Sequence, residues 1–129
     1  MASVSYRQVG VVEDLLKQIK RAILNLQSLV QTMKTRSEYI ELIKSHTDEL
    51  KRRFGITSLS IFGSVARDEH REGSDVDIYV TMPPKFYNHV AAAMYLEDLL
   101  ESKVDLIQEH RGIRPFFRKQ IETDGIRIL

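Results

Sequence analysis

The stretch SIFGSVARDEHREGSDVDIYVT, residues 60–81, decides the fold. An apolar run from Ile56 to Phe62 ends in Gly63-Ser64, a polar segment carries Arg67, and a second apolar run opens with Asp75 and Asp77, one residue apart. In a β-strand, residues i and i+2 point to the same face. Asp75 and Asp77 therefore aim their carboxylates one way while Val76, Ile78 and Val80 face the other. Two negative charges held that close call for a cation. A strand feeding through Gly-Ser into a short helix presents free backbone N–H groups at the helix start, where Gly lets an anion approach and Ser adds a hydroxyl donor.

Downstream, Glu72-Gly73-Ser74 forms a turn, and the second strand runs from Asp75 to Met82 before Pro83-Pro84 ends it. Phe86 to Ser102 is expected to be a helix with Val90, Ala93, Met94, Leu96, Leu99 and Leu100 on its buried side. Lys103 to Gln108 reads as a short strand whose Asp105 shares a face with Lys103 and Ile107. An acid in an otherwise buried strand is unusual unless it is paired or binds a metal. Arg111 to Glu122 supplies a loop and a last helix, and Asp124-Gly125 turns into a final strand, Ile126 to Leu129.

Upstream, Val12, Leu16, Ile19, Ile23, Leu26, Val30 and Met33 alternate spacings of four and three. That heptad seam, widened by Leu15, Leu24 and Leu29, predicts a long helix from Val11 to Met33 that buries one broad face, either on its own domain or against a helix of another chain. After a polar break, Thr35 or Ser37 caps a second helix from Glu38 to Phe54, with Gly55 as its left-handed C-terminal cap. Residues 1–32 thus read as an amphipathic helical extension and 33–129 as the compact domain. The expected fold is an α/β or α+β domain, with a mixed sheet of about four strands and helices mainly on one face.

Composition narrows the function classes. The chain has 129 residues, 43% of them hydrophobic and 29% charged, with no cysteine and a formal charge of +1. Thiolate metal sites, disulfides and a cysteine nucleophile are excluded, and the composition fits a reducing, cytoplasmic setting. No run approaches the roughly 20 apolar residues of a membrane span, and the start lacks a signal-peptide core. Near-neutral charge argues against free nucleic acid as the main partner, although Lys51-Arg52-Arg53 is locally basic. His46, His70, His89 and His110 lack ligand spacing and read as surface residues.

Gly63-Ser64-Val65-Ala66-Arg67, Ser74-Asp75-Val76-Asp77-Ile78 and Val104-Asp105-Leu106, in that order, resemble the nucleotidyltransferase pattern of the DNA polymerase β superfamily, in particular its minimal nucleotidyltransferases. The resemblance spans Met33 to Leu129 and implies a role for each residue. Gly63 and Ser64 hold nucleotide phosphates, Arg67 braces the loop or meets phosphate, Ser74 belongs to the nucleotide site and caps the turn before the strand, Asp75 and Asp77 ligate two Mg²⁺ ions, for which Mn²⁺ can substitute, and Asp105 ligates the catalytic ion and helps deprotonate the acceptor. One departure stands out: a glycine commonly follows this arginine in the family, and here Asp68 takes its place.

Minimal nucleotidyltransferases of this kind are similar to antitoxins that move AMP from ATP onto a tyrosine of a HEPN-type toxin, so the resemblance implies ATP and such a toxin as partners. Two other readings stand beside it: a binding module that neutralises a helical partner sterically, and a nucleotidyltransferase acting on an aminoglycoside-like small molecule. The N-terminal helix also allows a homo-oligomer.

Overall fold

A computed structural model describes residues 6–32 and 34–129, and the chain divides into two compact units, Met1–Gln31 and Thr32–Leu129. In the first, a single helix, α1 (Tyr6–Thr32), carries the predicted seam. Its apolar side chains Val12, Leu16, Ile19 and Ile23 are 47–55% exposed. The side chains of Leu29 and Val30, and all of Met33, lie outside the described residues.

The second unit runs α2 (Arg36–Lys44), α3 (Thr47–Phe54), β1 (Ser58–Phe62), α4 (Gly63–Ala66), β2 (Val76–Thr81), α5 (Phe86–Leu100), β3 (Val104–Gln108), α6 (Pro115–Asp124) and β4 (Ile126–Arg127). The four strands form one mixed sheet in the order β3-β2-β1-β4. β1 pairs antiparallel with both β2 and β4, and β2 pairs parallel with β3. A parallel step needs a crossover, and α5 makes it. Alternation then sorts the side chains: Leu59, Ile61, Val76, Ile78, Val80 and Leu106 turn to one face and meet Ile43, Leu50, Phe54, Ala92, Leu96 and Leu100 from α2, α3 and α5. Ile61 lies at the centre of this layer with no exposed surface, so truncating it to alanine costs about 2–5 kcal/mol. The opposite sheet face carries Ser58, Ser60, Asp77 and Tyr79, and α6 reaches it through an edge-to-face contact of Phe117 with Phe62.

Three expectations need correction. The single helix from Glu38 to Phe54 is two, because Ser45, His46 and Thr47 offer their side chains to the preceding carbonyls. Ser45 Oγ donates to Leu42 O at 2.9 Å, Thr47 Oγ1 donates to Lys44 O at 3.2 Å, and His46 Nδ1 lies 2.8 Å from Leu42 O. Such local bonds compete with the helical ladder. Thr35 does cap α2, accepting from Glu38 N, and Gly55 ends α3 at φ +70°. On α5 the buried row is Ala92, Leu96 and Leu100, whereas Val90 and Met94 are 40% and 62% exposed and lie in line with exposed Phe86. Finally, His46, His70 and His89 are half-buried, and only His110 is a surface residue. His70 Nε2 lies 2.6 Å from Lys34 O, and its ring meets Tyr39 edge-on.

Candidate active site

Strand register assembles the acids. The antiparallel pairing of β1 with β2 sets Phe62 opposite Asp77, and the parallel pairing of β2 with β3 sets Asp77 opposite Asp105. Phe62, Asp77 and Asp105 therefore form a row across the sheet face turned away from the core. Asp75 comes just before β2 and is exposed, as is Asp105, while Asp77 is half-buried. Asp105 is not the buried acid expected of a covered strand: β3 is an edge strand, and the residue is exposed.

The neighbouring charges act on Asp77. Burial raises the carboxyl pKa of Asp77 above its usual range, the charges of Asp105 and then Asp75 raise it further, and Arg67 opposes them. Each of those neighbours disfavours or favours the same ionised form. The cluster is held in an arrangement that a cation would relieve.

Gly63 is required at its position for two independent reasons. Its φ is +70°, and a Cβ placed there would sit 2.1 Å from Asp77 Oδ2. The carboxylate thus rests directly against the backbone at the start of α4. That short helix is closed by Arg67 N donating to Gly63 O at 3.1 Å and Glu69 N donating to Ser64 O at 2.8 Å, and Arg36 Nη1 donates to Ala66 O at 3.1 Å. Asp68 adopts φ +59°, the left-handed conformation that glycine takes most easily. Aspartate is among the few other residues that enter it at modest cost, so the departure at this position leaves the turn intact.

The remaining candidates fall into place around this turn. Arg67 Nε donates to Glu69 Oε2 at 3.1 Å, with both side chains largely exposed, so the pair contributes little and the guanidinium remains free to re-pair. Ser74 closes the turn before β2: Arg71 N donates to its Oγ at 2.9 Å and its own N donates to Arg71 O at 3.0 Å.

A cavity of about 210 Å³ opens beside Gly63, lined by Phe62, Arg67, Phe117, Gln120, Ile121 and Asp124. Phe62 and Phe117 stand at its wall with ring centroids 5.7 Å apart. Sequence reasoning placed none of these last-helix residues near the turn. The alternation of β1 puts Phe62 on the acid-bearing face, but no local pattern marks Phe117 or Gln120, which arrive through tertiary packing.

No group of three or more Asp, Glu, His or Cys side chains among the described residues is gathered tightly enough to enclose an ion by itself. Asp77, with Asp105 opposite it in the sheet, still offers carboxylates whose mutual repulsion a hard divalent ion would relieve, such an ion completing its shell with phosphate oxygens and water.

A carboxylate row on a sheet face beside a glycine turn has the makings of a phosphoryl-transfer site. Comparison with known proteins specifies the class. Residues 43–128 match the nucleotidyltransferase domain family model. The protein MJ0126 of Methanocaldococcus jannaschii, provisionally named a protein adenylyltransferase, is 43% identical over 98 residues, covering 74% of this chain and all of its own. A solved structure described as a provisional minimal nucleotidyltransferase superposes with a TM-score of 0.61 at 32% identity, over 73% of this chain and 96% of that one. The fold also matches, at a TM-score of 0.50 and 22% identity over 70% of this chain and 71% of that one, a complex of an MNT antitoxin with a tri-AMPylated HEPN toxin from Shewanella oneidensis. This chain belongs to the nucleotidyltransferase domain family.

Proposed function

We propose that the protein is a protein adenylyltransferase that moves AMP from ATP onto a hydroxyl of a partner protein, a tyrosine of a HEPN-type toxin, and thereby acts as its antitoxin in the cytoplasm. In this reading residues 33–129 are the catalytic domain and 1–32 an extension of it. The observation that carries the reading is the register that sets Asp77 against Asp105, with Gly63 pressed onto the Asp77 carboxylate.

The chemistry follows from where these groups stand. Gly63 and Ser64 receive the β- and γ-phosphates at the start of α4, and Arg67 exchanges Glu69 for phosphate. Asp75 and Asp77 would hold two divalent ions, with Asp105 on the ion nearer the acceptor, and bound magnesium would neutralise the triphosphate and stabilise the departing pyrophosphate. Asp105, exposed at the sheet edge, accepts the proton of the incoming hydroxyl. The hydroxyl oxygen bonds to the α-phosphorus as the bond from that phosphorus to the bridging oxygen of the β-phosphate breaks, and pyrophosphate leaves. Ser74 holds the turn that delivers Asp75. Phe62 and Phe117 wall the cavity beside the phosphate turn, a place for the nucleoside.

The MNT–HEPN complex, whose toxin is AMPylated, supports a toxin as the acceptor. Incubation with ATP labelled on its α-phosphate, Mg²⁺ and the protein encoded by the neighbouring gene is expected to label that protein. Intact ATP binding without transfer would refute the proposal.

A further inference from the structure

The transferase site leaves α1 unexplained. The matched relative is covered over its whole length by 98 residues, and the family match begins at residue 43, so this helix is additional to what the relatives share. Along it, Val12, Leu16, Ile19 and Ile23 lie within one narrow stripe at the 100° per residue of an α-helix, Leu15, Ala22 and Leu26 adjoin that stripe on one flank, and Val11 and Leu24 lie further out on opposite sides. All the large members are exposed, from 47% at Ile19 to 66% at Val11. An apolar face of this extent on a soluble helix marks an interaction surface.

The two flanks of the stripe differ, and the difference selects the partner. One flank is apolar, with Leu15 and Ala22; the other is charged, with Glu13 and Lys20. Against a parallel second copy, the charged flank of one helix would lie on the apolar flank of the other, because e positions face g positions there. Against an antiparallel second copy, like flank meets like flank. Leu15 of each helix then faces Ala22 of the other, and Glu13 of each faces Lys20 of the other. Placing Val12 opposite the second copy's Ile23, and Leu16 opposite its Ile19, aligns these four seam positions and brings both ion pairs into reach. Sliding the copies by one heptad would instead set Lys20 against Lys20.

We propose that α1 is a self-association element that pairs two copies of this chain as antiparallel helices in that register, yielding a dimer with two transferase units. The inference does not depend on the proposed substrate.

The absence of cysteine makes the test direct. The full chain is expected to sediment at twice its own mass at tens of micromolar. The double substitution Leu16→Glu and Ile23→Glu should return it to a monomer, with the circular dichroism of the sheet domain retained. Under mild oxidation, Val12→Cys and Ile23→Cys chains should each remain uncrosslinked alone and form a mixed disulfide when combined after exchange. Glu13→Lys should weaken the dimer at least tenfold at low salt, and adding Lys20→Glu should restore it. A monomeric wild-type chain, one that joins only a different protein, or a Val12→Cys chain that crosslinks to itself would overturn the proposal.

Discussion

Replacing Gly63 by alanine separates the structural role of this residue from its place in the site. The substitution imposes two costs that can be computed independently. A non-glycine residue at φ +70° loses roughly 1–2 kcal/mol of stability. The added Cβ would also fall 2.1 Å from Asp77 Oδ2, more than an ångström inside ordinary contact. The obstructed atom is the end of a side chain, so Asp77 swings aside and the sheet survives. A displacement of about 1 Å at a reacting group costs on the order of 100-fold in rate. Urea unfolding should therefore show a loss of about 1–2 kcal/mol, while the initial rate of AMP transfer at saturating ATP falls roughly 100-fold. Gly73 is the control. Its φ is +81° but no atom lies within 4 Å of a Cβ built on it, so Gly73→Ala should show a comparable stability loss with far less effect on rate. A Gly63→Ala enzyme that keeps its rate within about threefold, against the 100-fold expected of a displaced carboxylate, would refute the reasoning.

Further outcomes follow from the same site. Burial, with the charges of Asp105 and Asp75, holds the Asp77 pKa above its unfolded value. Its protonated form thus favours the fold, a contribution fully present below the unfolded pKa and lost as pH rises through the folded one. Asp77→Asn should accordingly melt higher than wild type at pH 7, with the gap closing toward acid pH, while abolishing transfer; scanning calorimetry across pH checks both the sign and the window. Added Mg²⁺ or Mn²⁺ should raise the melting temperature of wild type and leave Asp77→Asn nearly unmoved, which differential scanning fluorimetry reads without any substrate. At Asp68, φ +59° predicts that Asp68→Gly is neutral or stabilising by up to about 1 kcal/mol and that Asp68→Val costs about 1–2 kcal/mol in chemical denaturation.

The central half of this protein was legible because its strands obey a period of two. Asp75, Asp77 and the intervening Val76 could be sorted onto opposite faces from their spacing alone, and the turn at Gly63 followed from the strand that precedes it. Asp105 was found by its oddity in an apolar run, but the reason given for that oddity was incomplete. Edge position, a property of the whole sheet, explains an exposed acid there. α5 was misread for a physical cause: apolar residues occur on nearly every side of it, so periodicity did not select Ala92, Leu96 and Leu100 over the exposed line of Phe86, Val90 and Met94. The break at Ser45 to Thr47 turned on side-chain bonds to carbonyls that a hydrophobic pattern does not record. Phe117 and Gln120 meet Gly63 only because α6 folds back against β1.

Chemistry by the aspartates, as opposed to occlusion of a partner, is put to the sharpest test by Asp75→Asn. Asp75 is exposed and precedes β2, so the substitution leaves the packed sheet untouched. Intact-mass spectrometry of the HEPN-type partner after incubation with ATP and Mg²⁺ should show added AMP with the wild-type protein and none with Asp75→Asn, the variant still binding the partner while no longer neutralising it. Neutralisation by Asp75→Asn at the wild-type level, with the partner unmodified, would contradict the account.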